Sequence, residues 1–448
     1  MAISLKTQAI RGTTWTLIGY GAAQALRLGS NLILTRLLVP EYFGLMSLIS
    51  VFLTALTLFS DIGIGPSIIQ SKRGDDPLFF NTAWTVQVIR GFGLWLASLL
   101  IAKPVATFYE NPQLMWFIPI VGLTTIINGF NSTAMYTLNR QMALGKLTLL
   151  ELGTQVISLF VMIVWAWFSP TVWALVGGNL VSVLARVVWS YQLVPGQSNR
   201  LIWDKEAAKE LFSFGRWIFI STAMTFLAMQ ADRLILGKIF SLEMLGIYTV
   251  AYTFADLPKQ VGSRISSKVI FPILSQLADL PRDRLRAKIL QKRWLMLVGM
   301  AVFVAVLVSF GDLLVLALYD RRYKDAAWML PILALGMWPA LLPQTISPSL
   351  LAIGKPLYTA YGNFLKFIYM VIGLPLGFSM MGVFGAVLVV AFNDLPVYAA
   401  DNYGLWREGL TGIGQDIKAT LLLIGLIACI LMSRYLLGFG LPFSEVFQ

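Results

Sequence analysis

Apolar residues run along this chain in long blocks, separated by short polar breaks. A block of ~20 apolar residues wound into a helix matches a hydrocarbon core ~30 Å thick. The pattern predicts spans at about 13–38, 43–66, 79–101, 114–137, 147–168 and 171–193. A polar break follows at 194–212, centred on PGQSNRLIWDKEAAKEL. A second series is predicted at about 213–237, 243–263, 294–318, 326–352, 356–379 and 382–400, with one further run at about 417–437. Pro331, Pro339, Pro343 and Pro348 crowd the tenth run, so a bent or cavity-lining helix is expected there.

The two series resemble each other. LILTRLLVPEYFG at 32–44 matches LILGKIFSLEMLG at 234–246, aligning Arg36 with Lys238 and Glu41 with Glu243 at a shift of 202. Trp15 and Phe52 fall on Trp217 and Phe254 at the same shift. Gly145-Lys146 and Gly153 match Gly354-Lys355 and Gly362 at a shift of 209. The expectation is an all-α polytopic membrane protein built from two parallel-repeat six-helix bundles around a central polar cavity. Its parts would be an N-terminal lobe (1–193), a cytoplasmic linker (194–212), a C-terminal lobe (213–400) and an additional span with the C-terminus (401–448).

Composition supports a membrane protein. Of 448 residues 57% are hydrophobic and only 12% charged, and the mean hydropathy is +0.74. The net charge of +12 has a topological source, because cytoplasmic loops collect Lys and Arg. Of the 34 Lys and Arg residues, 22 fall on the side of the N-terminus, 7 on the other side and 5 inside spans. The N-terminus is therefore expected in the cytoplasm, and no separate module for nucleic acid is expected. Histidine is absent and Cys429 is the single cysteine, which removes His bases, Ser-His-Asp triads and thiolate metal sites. The basic stretch PRDRLRAKILQKR at 281–293 reads as a topology anchor or as a segment lying on anionic lipid.

Charges inside spans are costly, at ~2.5–3.5 kcal/mol each on insertion scales, so they must face protein or water. Helical spacing groups them with polar neighbours: Gln24, Arg27 and Asn31; Gln87 and Arg90; Thr124, Asn128 and Asn131; Glu151, Gln155 and Ser158; Asn179, Ser182 and Arg186; Tyr248, Tyr252 and Asp256; Asn363, Lys366 and Tyr369. Arg27, Arg90 and Lys366 lie near mid-membrane and suit an anionic ligand such as phosphate, with Gln24, Asn31, Asn128 and Asn363 as polar neighbours. Alternatively each cation neutralises a carboxylate, for instance Arg186 with Glu151 or Lys366 with Asp394. Asp61, Asp256, Glu151 and Asp394 are candidates for coupling to an H+ or Na+ gradient; no other cofactor is expected.

The N-terminal segment, above all LTRLLVPEYFG at 34–44, then Asp61-Ile-Gly-Ile-Gly and Ile68-Ile69-Gln70, resembles the Wzx-type polysaccharide flippases of the multidrug/oligosaccharidyl-lipid/polysaccharide exporter superfamily. The resemblance covers about 1–400. It implies a flippase in the bacterial cytoplasmic membrane that moves a polyisoprenyl-diphosphate-linked oligosaccharide from the inner to the outer leaflet. It also implies two lobes that rock about a cationic cavity, with membrane lipids as surroundings and a polysaccharide polymerase as a prospective partner. Arg27, Arg90 and Lys366 are similar in placement to the family's cavity cations. The run at 417–437 departs from the twelve-span pattern. Two alternatives remain open: a multidrug or metabolite exporter of the same superfamily, and a non-transporting scaffold in envelope assembly. No enzymatic reaction is implied.

Overall fold

A computed structural model describes residues 5–60, 64–70, 73, 76–141, 143–194, 199–271, 274, 277 and 280–442. Among the described residues the regular structure is helical. The helices are α1 (Leu5–Leu37), α2 (Pro40–Phe59), α3 (Ile64–Gln70), α4 (Pro77–Phe108), α5 (Gln113–Gly129), α6 (Ala134–Arg140), α7 (Leu144–Phe168), α8 (Val172–Ser190), α9 (Lys205–Ile239), α10 (Leu242–Ala255), α11 (Leu257–Ile265), α12 (Arg282–Leu318), α13 (Asp325–Gly336), α14 (Trp338–Gln344), α15 (Pro348–Ala352), α16 (Leu357–Ala391), α17 (Leu395–Arg407) and α18 (Ile413–Leu436). The protein is an all-α polytopic membrane protein.

Eight helical stretches among the described residues are long and apolar enough to cross a membrane, or nine with the bent α5–α6 pair. The lower count than the sequence expectation has physical causes. α1 and α9, at 33 and 35 residues, are long enough but carry internal polar and charged residues. The eighth run is split into α10 and α11 at Asp256. One stretch, Leu357–Arg407, has 51 residues, which at ~1.5 Å per residue far exceeds one crossing. It reverses at Gly382, whose φ of 61° is a left-handed conformation that glycine adopts without strain. The two arms then pack so closely that a Cβ on Gly385 would lie 2.0 Å from the Gly377 carbonyl oxygen.

The α5–α6 pair bends by 63° at residues 130–133. Proline positions the other breaks of the second unit. The proline-rich tenth run forms three successive helices, α13 to α15, with Pro339 and Pro348 in the first turns of α14 and α15. Both Asp256-Leu-Pro258 and Asp394-Leu-Pro396 start a helix, with the Asp at the cap and the proline in the first turn. Proline is tolerated there because its missing N–H has no intrahelical partner anyway.

The chain divides into two compact units, Met1–Phe226 and Leu227–Gln448. In the first, α4 packs on α5, and α7 on α1 and α8. Segment 199–211 is bound to this unit. The backbone N–H groups of Arg200, Ile202 and Asp204 donate to the side chains of Asn81, Thr85 and Thr82, and Ala207 and Leu211 join a core with Ile64, Ile68, Phe79, Ala83 and Val86. Helix α9 therefore starts inside the stretch expected to be a linker. α1 ends at Leu37 and α2 starts at Pro40, while α9 ends at Ile239 and α10 starts at Leu242, the offset of the sequence match.

In the second unit α12 packs on α13 and α18, and α16 on α17. The additional run is α18, and two buried ion pairs tie it to α12. Arg293 donates to Asp416, Thr345 Oγ1 and the Leu342 carbonyl. Arg434 engages both oxygens of Asp312.

Candidate functional site

The first unit holds a cavity of about 350 Å³ whose lining includes Thr57, Gln87, Arg90, Asn128, Asn131 and Arg186. Three polar stripes read from the sequence, on α4, α5 and α8, meet there. The cavity forms where α2 and α5 end inside the bundle, so that polar groups at helix C-termini face one another. Arg90 serves the end of α2: its Nε donates to Ser60 Oγ at 2.9 Å and its Nη2 to the Thr57 carbonyl. A cation at a helix C-terminus offsets the partial negative charge of the last carbonyls. Gln87 serves the end of α5, donating to the carbonyls of Gly129 at 2.9 Å and Asn131 at 3.0 Å. Asn131 Nδ2 donates to Asn128 Oδ1 at 3.0 Å.

Arg186 differs from Arg90. Its Nε is buried without a hydrogen-bond partner, and so is Asn131 Oδ1. The alternative pair with Glu151 does not form: Glu151 is exposed and no ion pair joins the two among the described residues. The described residues lining the cavity thus carry two guanidinium groups and no carboxylate. Each guanidinium presents a planar fork of donors that matches phosphate oxygens, and the volume lies in the range of small-ligand sites, ~300–1,000 Å³.

The other stripes of the first unit hold helices together. Gln155 Nε2 donates to the Ala23 carbonyl, Ser158 Oγ to that of Gly178 and Ser182 Oγ to that of Thr154. Gln24 Nε2 donates to the Tyr20 hydroxyl, and Asn31 lies half-buried on the same face. Arg27 is exposed on α1 and does not line the cavity. Asp61 lies outside the described residues.

The second unit gathers a charge network. Asp394 lies between two ammonium groups, with Lys259 Nζ 2.6 Å from Oδ2 and Lys366 Nζ 2.7 Å from Oδ1. Asp232 accepts from the Tyr248 hydroxyl at 2.7 Å, and Asp256 from Gln260 Nε2 at 2.9 Å. Arg233 lies over the Tyr252 ring, 5.8 Å from its centroid. Lys366 thus takes the carboxylate-neutralising role that the sequence left open, and Asn363 sits half-buried one turn away. Lys259 falls at the inner end of the predicted span 243–263 and counts in the sequence among the cytoplasmic-side cations; helical spacing alone does not bring it to Asp394, 135 residues away.

A family profile described as "Polysaccharide biosynthesis protein" matches residues 33–328. The chain is 24% identical over 311 residues to the lipopolysaccharide biosynthesis protein WzxC of Escherichia coli (strain K12), covering 68% of this chain and 61% of that protein. It is 21% identical over 285 residues to the teichuronic acid biosynthesis protein TuaB of Bacillus subtilis (strain 168), covering 61% and 57%. The matched stretch thus spans about three fifths of the length of these two relatives. Among solved structures, the fold is similar to the lipid II flippase MurJ in an inward closed conformation, with a TM-score of 0.68 at 12% identity over 96% of this chain and 93% of that one. It is also similar to an inward-facing multidrug resistance transporter of the MATE family, with a TM-score of 0.65 at 12% identity over 86% and 94%.

Proposed function

The chain belongs to the polysaccharide biosynthesis protein family, and from that membership we propose that it is a flippase for a polyisoprenyl-diphosphate-linked oligosaccharide, carrying the headgroup from the inner to the outer leaflet of a bacterial cytoplasmic membrane. The observation that carries this reading is the cavity of the first unit, with Arg90 and Arg186 and no carboxylate among its described lining residues. A diphosphate headgroup has about two negative charges. Moving them outward across an inside-negative membrane is favourable by ~2.3 kcal/mol per charge per 100 mV. The obstacle is stripping water from phosphate and sugar, and a polar cavity replaces those hydrogen bonds. Arg186 supplies free donors to phosphate oxygens, while Asn128 and Asn131 offer amide groups to the first sugar. Arg90 helps to keep the site positive while holding the end of α2.

The N-terminus lies in the cytoplasm in this reading, and the two halves descend from a duplication, which the 202-residue offset shared by α1–α2 and α9–α10 supports. Transport proceeds by rocking of the two lobes, without a chemical step. The relatives' names, in lipopolysaccharide and teichuronic acid biosynthesis, favour a glycan cargo over a drug. In cells, loss of the gene is expected to leave the lipid-linked oligosaccharide stranded on the inner leaflet. Wild type is expected to clear it and Arg186→Gln to clear it at least tenfold more slowly. Equal clearance by both would reject the cavity as the headgroup site.

A further inference from the structure

The sequence marks Asp394 as a candidate for a coupling cation, and its surroundings argue otherwise. Asp394 caps α17 just after the α16–α17 break, and both its side chain and that of Lys366 are about nine-tenths buried. A carboxylate at that depth needs a counter-charge. It has two, and both are covalently part of the chain: one ammonium on each oxygen, at 2.6 and 2.7 Å. The wider network holds three cations, Arg233, Lys259 and Lys366, against three anions, Asp232, Asp256 and Asp394. Asp232 and Asp256 are satisfied by Tyr248 and Gln260. A metal ion arriving at Asp394 would meet two ammonium groups at ion-pair distance from the oxygens it must bind. The donor set therefore does not fit Na+.

We propose that Lys366, assisted by Lys259, is a tethered cation that takes the place of a gradient-fed ion at Asp394, so that this unit keeps its charge balance without binding Na+. A second basic residue on the same carboxylate has a consequence of its own. When the helices on either side of the break shift, Asp394 can lose one ammonium and retain the other, so the buried charge is never left bare. Residue 366 thus decides whether the unit depends on an external cation. This deepens the transport reading given above, since the charge on the cargo and the membrane potential would then supply the drive.

The test needs no cargo and no transport, so its outcome is separate from that of the flippase assignment. Thermal unfolding of the purified full chain is followed as Na+ replaces choline at constant ionic strength, and again across pH. Wild type and Lys366→Arg are expected to have midpoints that do not respond to Na+. Lys366→Met leaves the network with two cations, Arg233 and Lys259, against three anions, and its midpoint is expected to rise with the logarithm of Na+ concentration or to rise as pH falls, since bound Na+ or a proton then restores the charge balance. A wild-type midpoint that rises with Na+ overturns the proposal. So does a Lys366→Met protein that folds and responds to neither cation. Should Lys366→Met not fold, the Na+ response of wild type and of Lys366→Arg still decides the question.

Discussion

The attachment of α18 yields a prediction with a worked magnitude. α12 and α18 are joined by Arg293–Asp416 and Arg434–Asp312, with side chains between 1% and 9% exposed. The signs alternate: α12 gives Arg then Asp, α18 gives Asp then Arg. The pairs are 19 residues apart on α12 and 18 on α18, or ~28 and ~27 Å at ~1.5 Å per residue. Arg293 meets Asp416 and, further along both helices, Asp312 meets Arg434, so in this parallel packing both pairs close together, and a slip by one turn opens both. Arg434→Met leaves Asp312 buried and unpaired, which should cost ~3–5 kcal/mol. Arg434→Met with Asp312→Leu removes both charges, and replacing a whole buried pair by apolar groups is often neutral. The double variant should therefore recover most of the loss. Equilibrium unfolding in mixed micelles, followed by tryptophan fluorescence, measures all three proteins. If the double variant is destabilised by the sum of its two single variants, the pair is not coupled and the reasoning fails. The exchange Arg434→Asp with Asp312→Arg should also restore much of the stability that Arg434→Asp alone removes.

Two further outcomes follow from local geometry. Gly385→Val should destabilise the α16 hairpin by ~1–3 kcal/mol or more, because the new Cβ meets the Gly377 carbonyl oxygen at 2.0 Å; a thermal midpoint equal to wild type would show that the arms can separate freely. Asp76 caps α4 through the Leu78 N–H, and Arg73 bridges it to Asp204. These bonds hold the Asp76 carboxyl below the usual carboxylate range, the Leu78 N–H being the larger cause. A depressed carboxyl stabilises the fold above its ordinary pKa, near ~4, and loses that effect as pH falls through its lower folded value. Asp76→Asn keeps the cap but drops the ion pair, so its midpoint should lie below wild type at pH 7 and converge with it under strong acid. A gap that persists in acid would contradict the ion-pair assignment.

Much of the fold was legible because a membrane span needs a long apolar run, and such runs stand out in a chain with few charges. The breaks were partly legible: the prolines of the tenth run announced α13 to α15, and the expected break between 356–379 and 382–400 falls at the α16 reversal, although nothing in the pattern marks Gly382 for a positive φ. The candidate site divided in a similar way. Stripes at helical spacing contain Gln87, Arg90, Asn128, Asn131 and Arg186, of which the sequence marked only Arg90 and Asn128 for a ligand, and spacing along one helix cannot say which stripes face each other. The stripe containing Gln155 and Ser158 therefore looked the same as those lining the cavity, yet it bonds neighbouring helices, and within the α8 stripe Arg186 lines the cavity while Ser182 bonds the Thr154 carbonyl. Glu151 and Arg186 are close in expected depth, yet Glu151 is exposed and Arg186 lines the cavity. Arg293 sits in a run of basic residues and reads as a surface charge. Its partner, Asp416, lies 123 residues away, so no local signal could reveal the pair.

Transport itself is the measurement to make. Purified protein in vesicles is given a short polyprenyl-diphosphate oligosaccharide, and its arrival in the outer leaflet is read by a reagent that cannot cross the membrane. Wild type is expected to flip the lipid, faster when the membrane potential favours outward movement of negative charge. Glu151→Gln, which leaves the cavity lining intact, should match wild type. Arg186→Gln should flip at least tenfold more slowly, a loss of ~1.4 kcal/mol or more in transition-state stabilisation. Equal rates for Arg186→Gln and wild type, in folded protein at matched density, would contradict the assignment of the first-unit cavity as the headgroup site.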